Sequence, residues 1–167
     1  MQGRCFRLRS RESPSFPEYT PADSRSGPTS AYNGLMRNLI VILAIAGLLV
    51  SCFALREHYR TGVAPCDINS TWDCGVVNHS PFAEIANVPV AIFGILGYAA
   101  IAVCAFSRRW WYVLLLTTGA VGFSIYLTYI EARVLETYCI WCVTSAGIVA
   151  LTEIASIIAV VKYRKRA

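Results

Sequence analysis

The sequence predicts an all-α membrane protein: a bundle of four transmembrane helices with a large extracytoplasmic loop between helices 1 and 2. The composition is the first reason, because 56% of the 167 residues are hydrophobic, only 15% are charged, and the mean hydropathy is +0.50. The second is a series of four apolar runs, each close to the length of about 20 residues that crosses a bilayer. The third is that lysine and arginine gather at the ends of these runs, which argues against nucleic acid as a partner.

Residues 1–34 differ in composition from everything that follows. They contain serines, prolines and arginines and offer little apolar surface to bury, the prolines and arginines being Pro14, Pro17, Pro21, Pro28, Arg4, Arg7, Arg9, Arg11 and Arg25. Such a composition is typical of disorder, and no small-residue cleavage site follows the first apolar run, as a secretory signal would require. We therefore predict a disordered basic cytoplasmic tail over residues 1–34, the membrane domain over 35–163, and a short basic cytoplasmic tail over 164–167.

The four apolar runs cover residues 39–55, 88–106, 110–130 and 139–161. The interval 56–87 is the one long polar connection; it is rich in turn-forming residues and contains Cys66 and Cys74. Within it, Ser80 followed by Pro81 and Glu84 has the pattern of a helix start. We therefore predict a short amphipathic helix there, lying at the membrane surface.

The basic residues also predict the orientation of the bundle. Twelve lysines and arginines lie in the tail up to Arg37, in the turn at 108–109, or at the C-terminus, whereas the other side carries only Arg56, Arg60 and Arg133. The positive-inside rule then places both termini in the cytoplasm. The long loop and the start of the fourth run consequently face outward, on the same side of the membrane.

Four cysteines lie on that outward side, in two pairs. Cys139 and Cys142 are three residues apart at the start of a predicted helix, so both sulfurs lie on one face, and a helix N-terminus stabilises a thiolate. Cys66 and Cys74 lie on the loop, where a soluble protein can reach them. Because an outward compartment tolerates disulfides, the pairs can pass electrons by thiol–disulfide exchange, with a membrane quinone as the natural acceptor at the helix end.

This arrangement resembles the vitamin K epoxide reductase family over about residues 37–163. The resemblance is carried by the order and spacing of the cysteines and by their neighbours: Cys66-Asp67, Cys74, Ser80 six residues later, the stretch 125–129, and Cys139-Ile140-Trp141-Cys142 with Val143-Thr144-Ser145 after it. Bacterial members, which the chain resembles most, lie in the inner (cytoplasmic) membrane and couple quinone reduction to oxidation of a thioredoxin-like protein. The resemblance therefore implies ubiquinone or menaquinone as electron acceptor, no metal, and a separate periplasmic thioredoxin-like partner.

The resemblance also implies a role for each site residue. Cys142 would engage the quinone, and Cys139 would be its exchange partner. Cys74 would bridge to Cys139, and Cys66 would be the outer shuttle that meets the protein substrate. Ser80 would help to hold the loop over the quinone pocket.

Two positions depart from the vertebrate members of the family. By the register of Ile92-Phe93-Gly94, the asparagine that contacts the quinone carbonyl there is Val90 here, and the tyrosine four residues past the last redox cysteine is Ala146. These positions, with Phe93 and Cys142, are expected to line the quinone site. Both changes remove polar contacts, so the resemblance implies quinone reduction and leaves epoxide reduction and anticoagulant sensitivity open.

The same residues also fit interpretations other than a redox relay. The loop cysteines suit a static disulfide in a non-catalytic tetraspan scaffold, and reduction of vitamin K epoxide or quinone suits the same cysteines as the physiological reaction. A zinc site is disfavoured because the thiols form no tight double CxxC, and Ser80 fits a plain helix N-cap equally well.

Glu153 shares the helical face of Cys142 and is interpreted as a carboxylate that snorkels or hydrogen-bonds a neighbour. The remaining cysteines, Cys5, Cys52 and Cys104, are interpreted as small apolar residues or cytosolic thiols.

Overall fold

The structure is a computed structural model that describes residues 28–63 and 65–165, with side chains from residue 34 onward. Its elements are α1 (Pro28–His58), α2 (Cys74–Asn78), a 3₁₀ turn (Pro81–Ala83), β1 (Glu84–Ile85), β2 (Val88–Pro89), α3 (Val90–Phe106), α4 (Trp110–Ile130), a π-helical turn (Glu131–Leu135) and α5 (Ile140–Arg164). Most of the predicted N-terminal tail, residues 1–27, lies outside the described residues, as do residues 166–167. Within the predicted tail, α1 already begins at Pro28.

Within the residues that the structure describes, three helices are long and apolar enough to cross a membrane: Gly34–His58, Trp110–Leu135 and Ile140–Arg164. Their outward faces carry large apolar side chains instead of charged ones, as expected for contact with lipid, among them Ile42, Leu49, Leu115, Ile125, Leu151 and Ile154. The interior instead contains small and polar residues such as Ser51, Thr117, Thr152 and Ser156, which is typical of helix contacts in membranes. The expectation of an all-α membrane protein is therefore met.

The fourth apolar helix, α3, is shorter than the other three. Its 17 residues extend about 25 Å at roughly 1.5 Å per residue, against a hydrocarbon thickness of about 30 Å. Its role as a fourth span stays a prediction. The end of α3 packs against the start of α1, where the guanidinium of Arg37 lies 5.8 Å from the centroid of the Phe106 ring. The start of α1 and the end of α3 are thus neighbours, and the two helices run antiparallel.

Glycines let α1 and α3 approach each other closely. A Cβ at Gly47 of α1 would overlap the ring of Tyr98 in α3, and a Cβ at Gly94 of α3 would lie 2.7 Å from the hydroxyl oxygen of Ser51 in α1. Tyr98 is buried, so its ring packs directly on the backbone of α1 at this point. This contact holds the two helices side by side along one wall of the bundle.

On the opposite wall, α4 and α5 are joined by a partly buried polar cluster. The hydroxyl of Thr117 donates to Oε2 of Glu153, and that of Thr118 donates to Oε1 at 2.8 Å. Ser156 donates to the Glu153 carbonyl at 2.8 Å. The interpretation of Glu153 as a carboxylate that hydrogen-bonds a neighbour is therefore confirmed.

The amphipathic surface helix expected after Ser80 is not formed. Pro81–Ala83 makes a single 3₁₀ turn, and β1 then pairs with β2 in an antiparallel hairpin, with Ile85 opposite Val88. Ala86 and Asn87 between the strands both have positive φ, 52° and 63°, which is the geometry of the tightest hairpin turns. The residues from Ser80 onward do begin a turn, as their pattern indicates. The turn does not continue into a helix, because Asn87 and the following Val88-Pro89 favour a hairpin.

We predict that Gly47→Ala destabilises the protein by about 1–3 kcal/mol, the usual range for overfilling a packed contact, because the new methyl group overlaps the Tyr98 ring. Thermal unfolding of the purified protein in detergent measures the effect. The matched control is Gly119→Ala on α4, where a Cβ meets no atom within 4 Å; alanine there should leave stability unchanged or slightly higher. Equal unfolding temperatures for Gly47→Ala and wild type would contradict the close packing described.

Candidate active site

The polar loop is fastened to the segment that precedes α5 by backbone hydrogen bonds. The amide of Tyr138 donates to the Thr71 carbonyl at 2.8 Å, and the amide of Asp73 donates to the Tyr138 carbonyl at 3.1 Å. The Thr137 hydroxyl adds a bond to the Ser70 carbonyl at 3.2 Å. Since Cys74 follows Asp73 and Cys139 follows Tyr138, this short parallel pairing brings the two cysteine pairs to one place.

The four cysteines predicted as redox residues meet in this region. Cys66 and Cys74, which the sequence groups as a pair on the loop, are joined by a disulfide. The disulfide packs with Cys139 and Val77 in a buried cluster whose edge includes Cys142. Cys139 and Cys142 are free thiols. Cys66 keeps 6% of its surface exposed, whereas Cys74 and Cys139 keep 0%, so Cys66 is the outermost of these three sulfurs.

Asn78 lies between the two pairs. It is one helical turn after Cys74, and its side-chain amide donates to the Cys74 carbonyl at 2.9 Å and to the sulfur of Cys139 at 3.5 Å. His58, at the end of α1, is bonded to the Asn78 carbonyl at 2.6 Å and also pairs with Glu84 at 3.2 Å. Asn78 was not singled out from the sequence, although its position four residues after Cys74 on a short helix was the available signal.

Cys139 occupies the N-cap position of α5, with extended backbone angles, and Cys142 lies in the first helical turn. The Cys142 thiol donates a hydrogen bond to the Cys139 sulfur, which lowers the pKa of Cys139 below its ordinary value; burial acts in the opposite direction, and the Cys142 amide and Asn78 lower it further. The helix N-terminus was expected to favour a thiolate at Cys142. In the structure the hydrogen bonds from Cys142 and Asn78 favour it at Cys139 instead.

A cavity of about 200 Å³ opens beside Cys142, between α1, α3, α4 and α5. Its wall includes Val90, Phe93 and Ala146, which were expected to line a quinone site, together with Cys142 itself. Polar side chains share this wall, and among them the hydroxyl of Tyr98 donates to the Ser145 carbonyl at 2.9 Å. The cavity thus combines an apolar surface with several polar groups, as small-molecule sites do.

Ser80 is not among the residues that line this cavity. Its hydroxyl donates to the Val77 carbonyl at 2.8 Å and makes no capping bond to the 3₁₀ turn that follows. It therefore closes the end of α2, and its expected part in holding the loop stays a prediction. Among the described residues no group of three or more His, Cys, Asp or Glu side chains is arranged to hold a metal ion.

Glu131 is a second site residue, after Asn78, that the sequence did not reveal. It appeared to mark a polar connection, but the π-helical turn carries it on from α4 into the interior, where it is 3% exposed and lines the cavity. Its carboxylate is hydrogen-bonded to the Cys142 thiol and accepts the Cys139 amide at 3.5 Å. The available signal was the position of an acid directly after an apolar run and eight residues before Cys139.

Two comparisons with known proteins agree. Residues 38–157 match the family model described as the vitamin K epoxide reductase family. A relative from Mus musculus, vitamin K epoxide reductase complex subunit 1, is 32% identical over 146 residues, which covers 73% of this chain and 87% of that protein.

We predict that Cys139 is alkylated with a pH midpoint below the value of about 8.5 for an ordinary thiol, because the Cys142 and Asn78 hydrogen bonds favour its thiolate. A lowered pKa means that the reactive thiolate persists as the pH falls, so Cys142→Ala and Asn78→Ala should each move the midpoint to higher pH. The measurement is iodoacetamide labelling of Cys139 read by peptide mass spectrometry, with Cys66–Cys74 kept oxidised. Ser80→Ala is the matched control, since its hydroxyl bonds Val77; unchanged midpoints in both test variants would show that these donors do not set the pKa.

Proposed function

The chain belongs to the vitamin K epoxide reductase family of membrane oxidoreductases, and we propose that it passes electrons from a thioredoxin-like periplasmic protein to a membrane quinone. The route runs from the partner dithiol to Cys66–Cys74, then to Cys139 and Cys142, then to the quinone. The net result is the formation of disulfide bonds in the partner and, through it, in other proteins. The quinone, ubiquinone or menaquinone, is a substrate that accepts two electrons.

The observation that supports this proposal is the position of Cys139. It is packed against the loop disulfide and is hydrogen-bonded to Cys142, which lies on the wall of the apolar cavity. A static loop disulfide would have no use for two free thiols buried beside it. A relay needs this order, because each exchange step requires one sulfur to reach the next.

Each transfer follows from thiol–disulfide chemistry. The incoming dithiol attacks Cys66, the outermost sulfur, forms a mixed disulfide with it and frees Cys74 as a thiolate. A second attack from the partner releases the pair as a reduced dithiol and leaves the partner oxidised. Cys74 then attacks the Cys139–Cys142 disulfide at Cys139, and closure by Cys66 restores the loop disulfide and leaves Cys139 and Cys142 reduced. Because Cys66 is itself 6% exposed, the first step requires a local opening of the loop.

The wall of the cavity suits a quinone ring. Val90, Phe93 and Ala146 offer apolar contact, and Cys142 presents its sulfur to the same space. A volume of about 200 Å³ is smaller than the roughly 300–1,000 Å³ of sites that enclose a whole ligand. The site would therefore hold the ring and leave an isoprenoid tail to the lipid.

The orientation belongs to the proposal as well. With four spans and both termini in the cytoplasm, the cysteines face the periplasm and the protein lies in the inner (cytoplasmic) membrane. The clustering of basic residues at the turn 108–109 and beyond α5 supports this orientation. A separate thioredoxin-like protein would then meet Cys66 from the aqueous side.

A second candidate is reduction of vitamin K epoxide or quinone as the physiological reaction, with the protein dithiol as mere reductant. The name of the mouse relative favours it. Val90 and Ala146 at the cavity favour quinone over epoxide, because these two positions carry polar contacts in the vertebrate members of the family and are apolar here.

We predict that Cys142→Ser abolishes quinone reduction, because it removes the sulfur that engages the quinone, and that it allows a Cys74–Cys139 disulfide to accumulate, because Cys139 then has only the loop disulfide to exchange with. Mass spectrometry of the non-reduced peptides identifies the trapped bridge, and absorbance of the quinone follows the reaction. Cys104→Ser, a free cysteine on α3 outside the site, is the matched control and should behave as wild type. If a Cys66→Ser, Cys142→Ser double variant still supports disulfide formation in cells, the enzyme function is wrong.

We predict that the purified protein reduces ubiquinone and menaquinone analogues at least about tenfold faster than vitamin K epoxide, the loss of one hydrogen-bonded contact in a transition state being worth such a factor. The three acceptors are compared at saturation, with dithiothreitol as the electron donor. Equal or faster turnover of the epoxide would favour the second candidate over the first.

A further inference from the structure

We propose that Glu131 is the proton carrier of the quinone site, taking the proton of the Cys142 thiol and delivering it to a quinone oxygen. This inference rests on the proposed function and adds to it a catalytic residue outside the four cysteines. It answers a question that the geometry raises, namely how the cysteine at the cavity becomes a nucleophile when its hydrogen bonds favour the thiolate at Cys139.

The Cys142 thiol has one proton and two hydrogen-bonding neighbours. One neighbour is the Cys139 sulfur, and the other is the carboxylate of Glu131. While the proton points to Cys139, Cys142 is a donor and is not a nucleophile. When the proton points to Glu131, the carboxylate is placed to remove it. Glu131 therefore interacts with the reacting sulfur, and both residues line the same cavity, as a general base at this site requires.

Glu131 is also held in place for this task. The Cys139 amide donates to its Oε2 at 3.5 Å, and the Thr137 amide donates to its backbone carbonyl at 3.1 Å. Glu136, with a φ of 53°, turns the chain back so that the residues after the π-helical turn return to the site. The carboxylate is thus tied to the redox segment itself, while its residue is 3% exposed and lines the cavity.

No other titratable side chain on the cavity wall is as well placed. Among the described lining residues the titratable ones are Tyr98, Glu131 and Cys142. The Tyr98 hydroxyl is engaged with Ser145, at 2.9 Å to its carbonyl and 3.0 Å to its hydroxyl. Glu153, the carboxylate on α5, is bonded to Thr117 and Thr118 and does not line the cavity. The titratable groups that interact with the Glu131 carboxylate are Cys139 and Cys142.

The step balances in protons and electrons. The Cys142 proton moves to Glu131, and the thiolate adds to a quinone ring carbon, so that a C–S bond forms and an electron pair moves to a quinone oxygen. That oxygen takes the proton from Glu131, which becomes a carboxylate again. The Cys139 thiolate then attacks the Cys142 sulfur; an S–S bond forms, the C–S bond breaks, and its electron pair stays on the ring. The second oxygen takes a proton from water, which replaces the one released when Cys139 ionised. The dithiol has lost two electrons and two protons, and the quinone has gained them.

The test separates quinone reduction from thiol exchange in Glu131→Gln, which keeps the shape and hydrogen bonding of the side chain and removes its ability to carry a proton. The full-length protein in lipid nanodiscs is assayed with dithiothreitol and a short-tailed ubiquinone analogue. We expect kcat to fall at least about 100-fold, as for loss of a general acid–base group, with KM for the quinone changed by less than about threefold. With quinone omitted, dithiothreitol should still reduce the Cys139–Cys142 disulfide at the wild-type rate.

Two further variants complete the experiment. Glu131→Asp retains a carboxylate, so its kcat should be at least about tenfold higher than that of Glu131→Gln. Glu153→Gln alters the other carboxylate bonded within the bundle and should keep near-normal turnover. A kcat of Glu131→Gln above half the wild-type value would overturn the proposal. So would equal losses of thiol exchange and quinone reduction in that variant, or a kcat of Glu131→Asp no higher than that of Glu131→Gln. Absence of quinone reduction by the wild-type protein would instead refute the proposed function itself.

Discussion

The pairing of the loop with the residues before α5 is the interaction on which the site depends. Two backbone hydrogen bonds, between Tyr138 and Thr71 and between Asp73 and Tyr138, fix residues that are 67 and 65 apart in sequence. Closing so long a connection costs conformational entropy, and the disulfide within the loop and the buried cysteine cluster help to offset that cost. Without this pairing the loop disulfide and the free thiols would be two separate features of a helical membrane protein.

The bundle supplies the other half of the site by enclosing a cavity at the same end. Close contact of α1 with α3 through Gly47 and Gly94, and the polar cluster around Glu153 between α4 and α5, build two firm walls. The cavity lies where the walls meet the start of α5. The Glu131 carboxylate, the Cys142 thiol and an apolar surface thereby line one space, and electrostatic interactions between buried groups are stronger than in water.

The sequence was most informative where a single physical property dominates. Apolar runs define lipid-facing helices, and α4 begins and ends at the residues predicted, Trp110 and Ile130. The pairing of Cys66 with Cys74 followed from topology and spacing. Features that depend on where the chain folds back on itself were not predictable. A hairpin stands where a helix was expected after Ser80, and the π-helical turn buries Glu131, whose position in a polar connection had indicated exposure to solvent. The preference for a thiolate at Cys139 likewise depends on hydrogen bonds that the fold brings to it, among them one from Asn78, which is 61 residues away in sequence.

The burial of Cys139 between two sets of partners has a consequence for the flow of electrons. A sulfur atom forms one disulfide at a time, so a bond from Cys139 to the loop and a bond from Cys139 to Cys142 exclude each other. At any moment Cys139 would therefore be bonded either to the loop cysteines, on the aqueous side, or to Cys142, on the quinone side. Electrons would then cross only in pairs and in one order, and the protein partner and the quinone would have no direct path between them.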